Sequence, residues 1–328
     1  MEQNKLQYNY IICGCGGYYD IGYRDVMHLS NVNYYHTYDE GVNSSLLKKL
    51  IRFNFSQKVN KYIKTPFARV VYPHIYKPVF TDNKPLCYIF FGNVEFVYQT
   101  SYISYLRTTY PNVKIVLYMQ DLISKNPRLN FNACKDLFDV ILSYDKGDCI
   151  KYDLQFHPTP MSYVSIEKDI SLPESDIYFC GYAKSRYPLI HRLYQIYSNI
   201  GIKCDFHLMK FPENETKVDG IHYEERNFTY EQNLQHVMNT KAVLEIMQDG
   251  ADGYTPRVWE SIIYDKHLIT NNISLQKSEY FNPEYMHDIH KSDLPSVINK
   301  PVSYTPEEKA ILSPIHLLKY IDNLLSHI

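Results

Sequence analysis

The hydrophobic positions of the chain fall into short runs, and the stretches between them are amphipathic. In the first half, apolar runs typical of buried strands lie at 8–13, 85–91, 113–118 and 140–143, and helical spacing lies at 98–109. Strands that alternate with helices favour a parallel sheet covered by helices on both faces. The first half therefore predicts an α/β domain.

Prolines punctuate the segment 158–175, and the same alternation restarts after it. The second half has predicted strands at 176–180, 203–208, 242–246 and 267–270, and predicted helices at 187–197 and 230–239. We therefore predict two Rossmann-like, doubly wound α/β domains. Ligands of such sheets bind in the crevice at the carboxyl ends of the strands, so functional residues should lie in the loops that follow strands.

The proline-punctuated segment also sets the predicted domain boundary. We expect a first domain at 1–163, a second at 164–310 and a C-terminal helix at 311–328. Apolar residues recur at helical spacing in this last segment, and Pro314 should break or kink the helix near its start. We expect the segment to pack back on the first domain.

Composition narrows the class of protein. The chain has 328 residues, 45% of them apolar and 21% charged, which leaves room for about two domains and argues against disordered, collagen-like and disulfide-scaffold proteins. Its net charge of -2 argues against a general nucleic-acid binder. Seven scattered cysteines, an odd number, and the lack of a recognisable signal peptide or membrane helix indicate a reducing, cytoplasmic location.

The most informative stretch is 244–272, where a predicted strand ends in a polar loop that contains glycines. Thr255 precedes Pro256, a pair typical of a helix N-cap and the first helical position. Arg257 lies in the first turn, so unpaired backbone amides, the helix dipole and a guanidinium would together form an anion site. Glu260, one turn later, could accept hydrogen bonds from a ribose diol. The pattern favours a nucleotide ligand, although an ordinary helix start with a solvated Glu260 stays open.

This loop resembles that of the GT-B glycosyltransferases, which use nucleotide sugars. In many of those enzymes the loop runs Glu, Gly, Phe, Gly and reaches a second Glu eight residues after the first. Here Asp252 and Glu260 have that spacing, although Asp replaces the first Glu. Arg257 is atypical and suggests a variant such as the capsule or lipopolysaccharide enzymes. The resemblance implies a GT-B architecture with a deep interdomain cleft, and a donor site formed by Asp252, Gly253, Tyr254, Thr255, Arg257 and Glu260, with Glu260 on the donor ribose.

A second motif follows the predicted strand at 176–180. Gly181 ends that strand, and Lys184 and Arg186 come before the next helix. In GT-B enzymes this loop often carries a basic pair that holds the donor diphosphate, so the resemblance adds these three residues to the donor site. Cations there would stabilise the charge that develops on the leaving nucleoside diphosphate without a metal ion. Two solvated loop charges are the alternative.

The first domain offers further candidates in its loops. Gly16 and Gly17 follow the first predicted strand and Asn93 follows the second, and the same resemblance places such loops beside the acceptor or the donor sugar. Asp121, just after the strand at 113–118, could deprotonate an acceptor hydroxyl, and Asp20 is a second candidate base. A carboxylate at a strand end is also commonly a cap. The other groups that compete for the role of base are Asp25, Glu95 and His157.

Residues 41–81 contain no Asp or Glu but eight Lys or Arg, with Phe and Tyr between them. In a chain of net charge -2 this is a marked asymmetry. A basic, aromatic surface suits anionic lipid head groups or a lipid-pyrophosphate acceptor, and could also suit RNA; a solvated cationic helix face is the alternative. We expect a peripheral contact with the inner face of a membrane and no nucleic-acid partner.

These features together predict a glycosyltransferase that moves a sugar from a nucleoside-diphosphate donor to a glycan or lipid-linked acceptor in surface-polysaccharide synthesis. The family resemblance favours a UDP-sugar as the donor. We expect no cofactor and no metal ion, because the sequence has no convincing Asp-x-Asp pair. Two alternatives stay open. One is a Rossmann-type enzyme that modifies sugar nucleotides, against which the missing glycine fingerprint argues; the other is a non-catalytic nucleotide- or glycan-binding module.

Overall fold

The computed structural model describes residues 6–14, 16–92, 100–125, 130–248 and 253–328, so Asn93 and Asp252 lie outside the described residues. The chain divides into two compact units. The first contains Met1–Ser162 together with Ser313–Ile328, and the second contains Tyr163–Leu312. The division falls one residue before the boundary expected from the sequence, and the end of the chain belongs to the first unit.

The first unit contains one sheet of six parallel strands. In chain order the strands are β1 (Asn9–Cys13), β2 (Val32–Tyr35), β3 (Leu86–Phe91), β4 (Lys114–Met119), β5 (Val140–Ser143) and β6 (Gln155–Phe156). Their order across the sheet is β2-β1-β3-β4-β5-β6. The helices are α1 (Tyr18–Gly22), α2 (Ser45–Asn54), α3 (Gln57–Asn60), α4 (Ala68–Val71), α5 (Thr100–Thr109), α6 (Phe131–Cys134) and α7 (Lys146–Tyr152).

The inner strands of this sheet are nearly continuous apolar runs. Every residue of β1 is buried, and so are the last five residues of both β3 and β4. Successive side chains of a strand point to opposite faces. A strand that is covered on both faces is therefore apolar at almost every position, which is why the sequence pattern locates these three strands.

The second unit also contains one sheet of six parallel strands. They are β7 (Ser175–Tyr182), β8 (Cys204–Met209), β9 (His222–Glu224), β10 (Thr240–Glu245), β11 (His267–Thr270) and β12 (Met286–Asp288), in the order β12-β11-β10-β7-β8-β9. This is the order of a dinucleotide-binding sheet, which reverses between its first and fourth strands, here β7 and β10. The helices are α8 (Tyr187–Asn199), α9 (Tyr230–Asn239), α10 (Pro256–Ile263), α11 (Ile273–Gln276), α12 (Leu294–Val297) and α13 (Pro306–Ala310).

The two faces of the second sheet differ in polarity. On one face Ile177, Phe179 and Phe206 form an apolar core with residues of α8. On the other face, under α9, lie Tyr178 and Asp205, which hydrogen-bond to side chains of that helix. Buried charged groups contribute little to stability by themselves, so this polar face is a candidate for a functional role.

The C-terminal segment forms a helix of its own, α14 (Pro314–Leu325), which begins after a break at α13. Ser313 is its N-cap and Pro314 its first residue, so the proline starts this helix and does not kink a longer one. Leu318 and Ile321 are fully buried in the core of the first unit. The segment that follows the second unit in the chain therefore completes the first.

Two further properties of the described residues bear on the sequence expectations. None of their helices has the length and apolar character that crossing a bilayer requires. The six cysteines among them are free thiols. Burial raises the pKa of Cys13 and of Cys87, so these two are neutral core side chains.

Candidate functional site

A pocket of about 270 Å³ lies at the carboxyl ends of β7 and β10. These are the two strands between which the strand order reverses, and parallel sheets of this kind bind ligands at that point. The start of α10 forms the opposite wall of the pocket. Its polar lining comes chiefly from Arg186, Glu245, Gln248, Thr255 and Arg257.

Two guanidinium groups face this pocket. Arg186 donates from Nη1 to the carbonyl of Ile246 and from Nη2 to the carbonyl of Tyr182, both at 2.6 Å. Arg257 donates from Nη2 to the carbonyl of Cys180. Arg186 is thus held by carbonyls at the ends of both β7 and β10, and Arg257 by a carbonyl of β7 alone. Both arginines line the same pocket.

The two arginines repel each other. Burial, and then the positive charge of Arg257, lower the pKa of Arg186 to about 10. Arg186 is therefore still a cation at neutral pH, but in an environment that disfavours its charge. Burial is also the largest single effect on Arg257 and lowers its pKa, but Glu260 and the neighbouring Cys180, Tyr178 and Tyr230 together raise the pKa above its ordinary value. A bound anion would relieve the repulsion between the guanidinium groups.

The start of α10 confirms one sequence expectation and contradicts another. Thr255 is the N-cap and Pro256 occupies the first turn, as predicted. The expectation of unpaired amides at this helix start is wrong. Pro256 has no N–H, the N–H of Arg257 donates to Thr255 Oγ1 at 3.3 Å, and the N–H of Val258 donates to the carbonyl of Thr255 at 3.1 Å. The positive character of this site therefore comes from side chains.

Glu245 is a site residue that the sequence analysis missed. It is 1% exposed and ends β10. Thr255 Oγ1 donates to Glu245 Oε1 at 2.6 Å, and the hydroxyl of Thr270 donates to Oε2. Burial raises the pKa of this carboxyl group. The signal available in the sequence was a glutamate among the apolar residues of a predicted strand. In the structure its carboxylate links the start of α10 to the ends of β10 and β11.

Glu260 is also 1% exposed, so the alternative of a solvated surface residue is wrong. Its Oε1 accepts from Tyr230 Oη at 2.9 Å and from Asn233 Nδ2 at 3.0 Å. Its Oε2 is buried without a hydrogen-bond partner among the described residues. Burial raises the pKa of Glu260, and Arg257 opposes that shift. Oε1 is thus engaged within the protein, whereas Oε2 can still accept a hydrogen bond from a ligand.

The other predicted donor residues of this unit lie at different depths. Tyr254 is 2% exposed and packs edge-on against Trp259 and Tyr280, and the carbonyl of the buried Gly253 accepts from Asn272 Nδ2. Gly181 is the penultimate residue of β7 and lines the pocket. Lys184 is exposed, has a φ of 44°, and donates to Gln248 Oε1 at 3.1 Å.

The glycine loop after β1 has the backbone that glycine permits. Gly16 and Gly17 have φ values of 76° and 64°, in the left-handed region where a side chain is strained. Gly17 is the N-cap of α1, which carries Asp20. The carboxylate of Asp20 accepts from Tyr34 Oη at 3.0 Å and lies 2.7 Å from His36 Nδ1. This candidate base therefore sits in a hydrogen-bonded pair with a histidine.

Asp121 and His157 differ sharply in exposure. Asp121 is exposed just after β4, at the carboxyl edge of the first sheet. His157 is 2% exposed, its Nδ1 lies 2.7 Å from the carbonyl of Pro158, and burial lowers its pKa to about 4. His157 is accordingly a neutral core residue, whereas Asp121 is open to solvent.

The basic segment 41–81 folds into α2, α3, α4 and their connections. Seven of its large apolar side chains are exposed: Leu46, Phe53, Tyr62, Ile63, Phe67, Val70 and Val79. Phe53 and Phe67 contact each other, with ring centroids 6.2 Å apart. Arg52 forms an ion pair with Asp39 at 2.9 Å. The segment thus presents exposed aromatic and basic side chains together.

No protein-family model matches the chain, and no curated protein matches its sequence. Among solved structures, it is similar to an alpha-glucosyltransferase in complex with UDP-glucose and DNA containing an abasic site, with a TM-score of 0.51, 10% identity, and coverage of 96% of this chain and 92% of that one. A UDP-forming alpha,alpha-trehalose-phosphate synthase from Burkholderia xenovorans gives a TM-score of 0.47 at 10% identity, over 98% and 97% of the two chains. At such identities the likeness concerns architecture. With two Rossmann-like units of parallel strands, the chain has the GT-B fold.

Proposed function

We propose that the protein is a glycosyltransferase that moves a sugar from a UDP-sugar to a glycan or lipid-linked acceptor in surface-polysaccharide synthesis. The observation that carries this proposal is the pair of guanidinium groups, Arg186 and Arg257, in the pocket at the β7–β10 switch point. A uridine nucleotide as donor is supported by the similar alpha-glucosyltransferase, which was solved with UDP-glucose.

The proposed chemistry is transfer without a metal ion. The acceptor oxygen forms a bond to the anomeric carbon of the sugar, the bond from that carbon to the β-phosphate oxygen breaks, and UDP leaves with the electron pair. The leaving diphosphate gains negative charge, which Arg186 and Arg257 stabilise, with Lys184 at the edge of the same loop. A diphosphate also relieves the repulsion that lowers the pKa of Arg186.

In this proposal Glu260 binds the donor ribose. Its Oε1 is committed to Tyr230 and Asn233, and its Oε2 is the acceptor that lacks a partner among the described residues. A ribose hydroxyl that donates to Oε2 removes the cost of an unsatisfied buried oxygen. The remaining residues predicted for the donor site, Asp252, Gly253 and Tyr254, belong to the loop that we propose faces the diphosphate and the sugar.

The first unit is proposed to bind the acceptor. Its loop at Gly16 and Gly17, and Asn93 beyond the described residues, would contact the sugar or the acceptor. Asp121 is proposed to take the proton of the acceptor hydroxyl because it is exposed just after β4, at the carboxyl edge of the first sheet, and Asp20 is proposed as the second candidate base. We propose that the protein acts in the cytoplasm at the inner membrane face, where residues 41–81 meet anionic lipid.

The donor site is tested by comparing UDP with uridine as ligands of Arg257→Lys. The lysine keeps a positive charge but loses the planar fork that bonds the carbonyl of Cys180. We expect UDP to bind roughly tenfold more weakly or worse, the value of one charge-assisted hydrogen bond, whereas uridine, which has no phosphate, should bind as before. Isothermal titration calorimetry measures both affinities.

The matched control is Arg192→Lys, on the exposed side of α8. It should leave both affinities unchanged. Equal UDP binding by Arg257→Lys and the unaltered protein would refute the donor site. Nicotinamide absorbance in the purified protein would favour the sugar-nucleotide-modifying alternative, and UDP binding without any hydrolysis or transfer across a donor panel would favour a non-catalytic module.

A further inference from the structure

A second cluster of chemically active side chains lies on the polar face of the second sheet. Asp205 and His207 are two residues apart on β8 and therefore share a face. His222 on the edge strand β9 is the register partner of His207. One potential metal-ligating atom from each of these three residues lies within 4.8 Å of the others. Two imidazoles and a carboxylate thus converge where β8 pairs with β9.

The outer contacts of this cluster match those of bound metal ions. Glu224 Oε1 lies 2.7 Å from His207 Nδ1, which leaves His207 Nε2 directed at the carboxylate of Asp205 at 2.8 Å. The other oxygen of Asp205 lies 2.7 Å from His236 Nδ1. A carboxylate that holds the far nitrogen of a ligating histidine fixes its ring and its tautomer, as in carboxylate–histidine–zinc arrangements.

The cluster is also built into the fold. Asp205 and His207 are 8% and 6% exposed, whereas His222 is exposed to solvent. The rings of Phe228 and His236 stack on each other with centroids 5.3 Å apart, and both contact the ring of His207, at 4.9 Å and 4.7 Å. Ligands that are buried on one side and open on the other can admit an ion and keep a water molecule on it.

We propose that Asp205, His207 through Nε2, and His222 bind one zinc ion, with water as the fourth ligand. Two imidazoles and one carboxylate suit this ion in tetrahedral geometry. Tetrahedral ligand atoms lie about 3.4 Å apart when each is about 2.1 Å from the metal. The direct bond between Asp205 and His207 therefore opens slightly, and the exposed His222 turns out of its stack on His207, where the ring centroids are 4.6 Å apart.

This ion would tie the edge strand β9 to β8. Edge strands are held by one neighbour only, so a metal bridge between register partners stabilises such a strand more than an inner one. The site also neighbours α9, whose Asn233 bonds to Glu260. The ion is assigned no step in sugar transfer, and the inference does not depend on the proposed donor.

The test is titration of the chelator-treated full chain with Co²⁺, a spectroscopic probe for zinc sites. We expect one Co²⁺ per chain with the intense visible bands of tetrahedral coordination, displacement of these bands by Zn²⁺, and a rise in the melting temperature with Zn²⁺. His222→Gln, at an exposed position that should not disturb folding, is expected to weaken the affinity by about tenfold or more. Glu224→Gln, in the outer shell, should weaken it by about tenfold.

The matched control is His290→Gln, because His290 is an exposed histidine of the same unit outside the cluster. It should bind Co²⁺ like the unaltered protein. Absence of stoichiometric tetrahedral Co²⁺, or equal affinity in His222→Gln and the unaltered protein, would overturn the proposal. Because metal binding and UDP binding are measured separately, either proposal can fail while the other stands.

Discussion

At the scale of single residues, Glu245 and Glu260 show how two buried carboxylates can differ. Both oxygens of Glu245 accept from threonine hydroxyls, so this residue is satisfied within the protein. Glu260 has one oxygen satisfied and one without a partner among the described residues. An unsatisfied buried acceptor costs about 1–3 kcal/mol. Glu245 therefore has a structural role. Glu260 is the carboxylate that can still accept a hydrogen bond from a ligand.

We predict that Glu260→Gln weakens ligand binding and leaves the stability of the fold almost unchanged. The amide oxygen can still accept from Tyr230 and Asn233, so the free energy of unfolding should change by no more than about 1 kcal/mol. The acceptor at Oε2 is lost, and UDP and uridine should both bind roughly tenfold more weakly, because both contain the ribose. Calorimetry of the two ligands and urea denaturation check these expectations.

Glu284→Gln, at an exposed position, is the control and should bind both ligands normally. If Glu260→Gln lost affinity for UDP but not for uridine, Glu260 would act on the phosphates and the ribose assignment would be wrong. Unchanged affinity for both would remove Glu260 from the donor site. The contrast with Arg257→Lys, which should affect UDP alone, separates ribose contacts from phosphate contacts.

Local sequence rules predicted what depends on local chemistry. The Thr255–Pro256 pair gave the start of α10, because capping is decided by neighbouring residues. The same rules did not show that Thr255 itself takes the first amides of the helix. Nor did they reveal Asp205 and His207, although polar residues that alternate with Phe206 and Leu208 along β8 were a readable signal of a polar sheet face.

At the scale of elements, the strands that the sequence pattern missed share one property. They are the edge strands of the two sheets: β2, β6, β9 and β12. An edge strand has one neighbouring strand and is partly solvated, so it needs no continuous apolar run. The inner strands, which are covered on both faces, were all predicted within about two residues of their observed ends. A strand can therefore be recognised from the sequence pattern when both of its faces are buried.

His157 couples the end of β6 to the C-terminal helix. Its ring contacts those of His316 and Tyr320 on α14, with centroids 5.8 Å and 5.4 Å away. Burial lowers the pKa of His157 to about 4, against about 6.5 in an unfolded chain. Below pH 6.5 the His157 ring is therefore protonated in the unfolded state, whereas in the folded state it stays neutral until the pH approaches 4. The free energy of unfolding should therefore fall as the pH drops from about 6.5 to about 4.

We predict that His157→Gln reduces this acid sensitivity. Between pH 7 and pH 5 the protonation of His157 should remove about 2 kcal/mol from the unfolding free energy, and the variant should lack that share. Urea denaturation at both pH values gives the difference. His28→Gln, at an exposed position, should keep the full pH dependence of the unaltered protein. An identical pH dependence in His157→Gln and the unaltered protein would contradict the burial argument.

At the scale of the whole molecule, the sequence predicted two α/β units because the alternation of strands and helices occurs twice. It could not give the strand order, since the order depends on which strands pair at a distance. The order proved decisive for the site: β7 and β10 are neighbours, although more than 50 residues separate them in the chain. Arg186 and Arg257 share a pocket for that reason.

The segment 41–81 carries the proposed membrane contact of the molecule, and its charge gives a quantitative prediction. Lys58, Lys61 and Lys64 are exposed next to Tyr62 and Ile63, which are 83% and 61% exposed. Each basic residue near an anionic surface contributes about 1 kcal/mol. Replacing the three lysines with Gln should therefore weaken binding to phosphatidylcholine–phosphatidylglycerol vesicles by roughly 100-fold, as measured by co-sedimentation.

Replacing Lys217, Lys277 and Lys300, which are exposed in the second unit, removes the same charge and is the matched control. A loss of binding equal to that of the first triple variant would mean that net charge, and not this segment, attracts the vesicle. Binding should also fall with added salt and be absent on pure phosphatidylcholine, because the Debye length shortens and the anionic charge disappears. Salt-sensitive binding to duplex DNA in place of vesicles would assign the segment to a nucleic acid, and the membrane proposal would then be wrong.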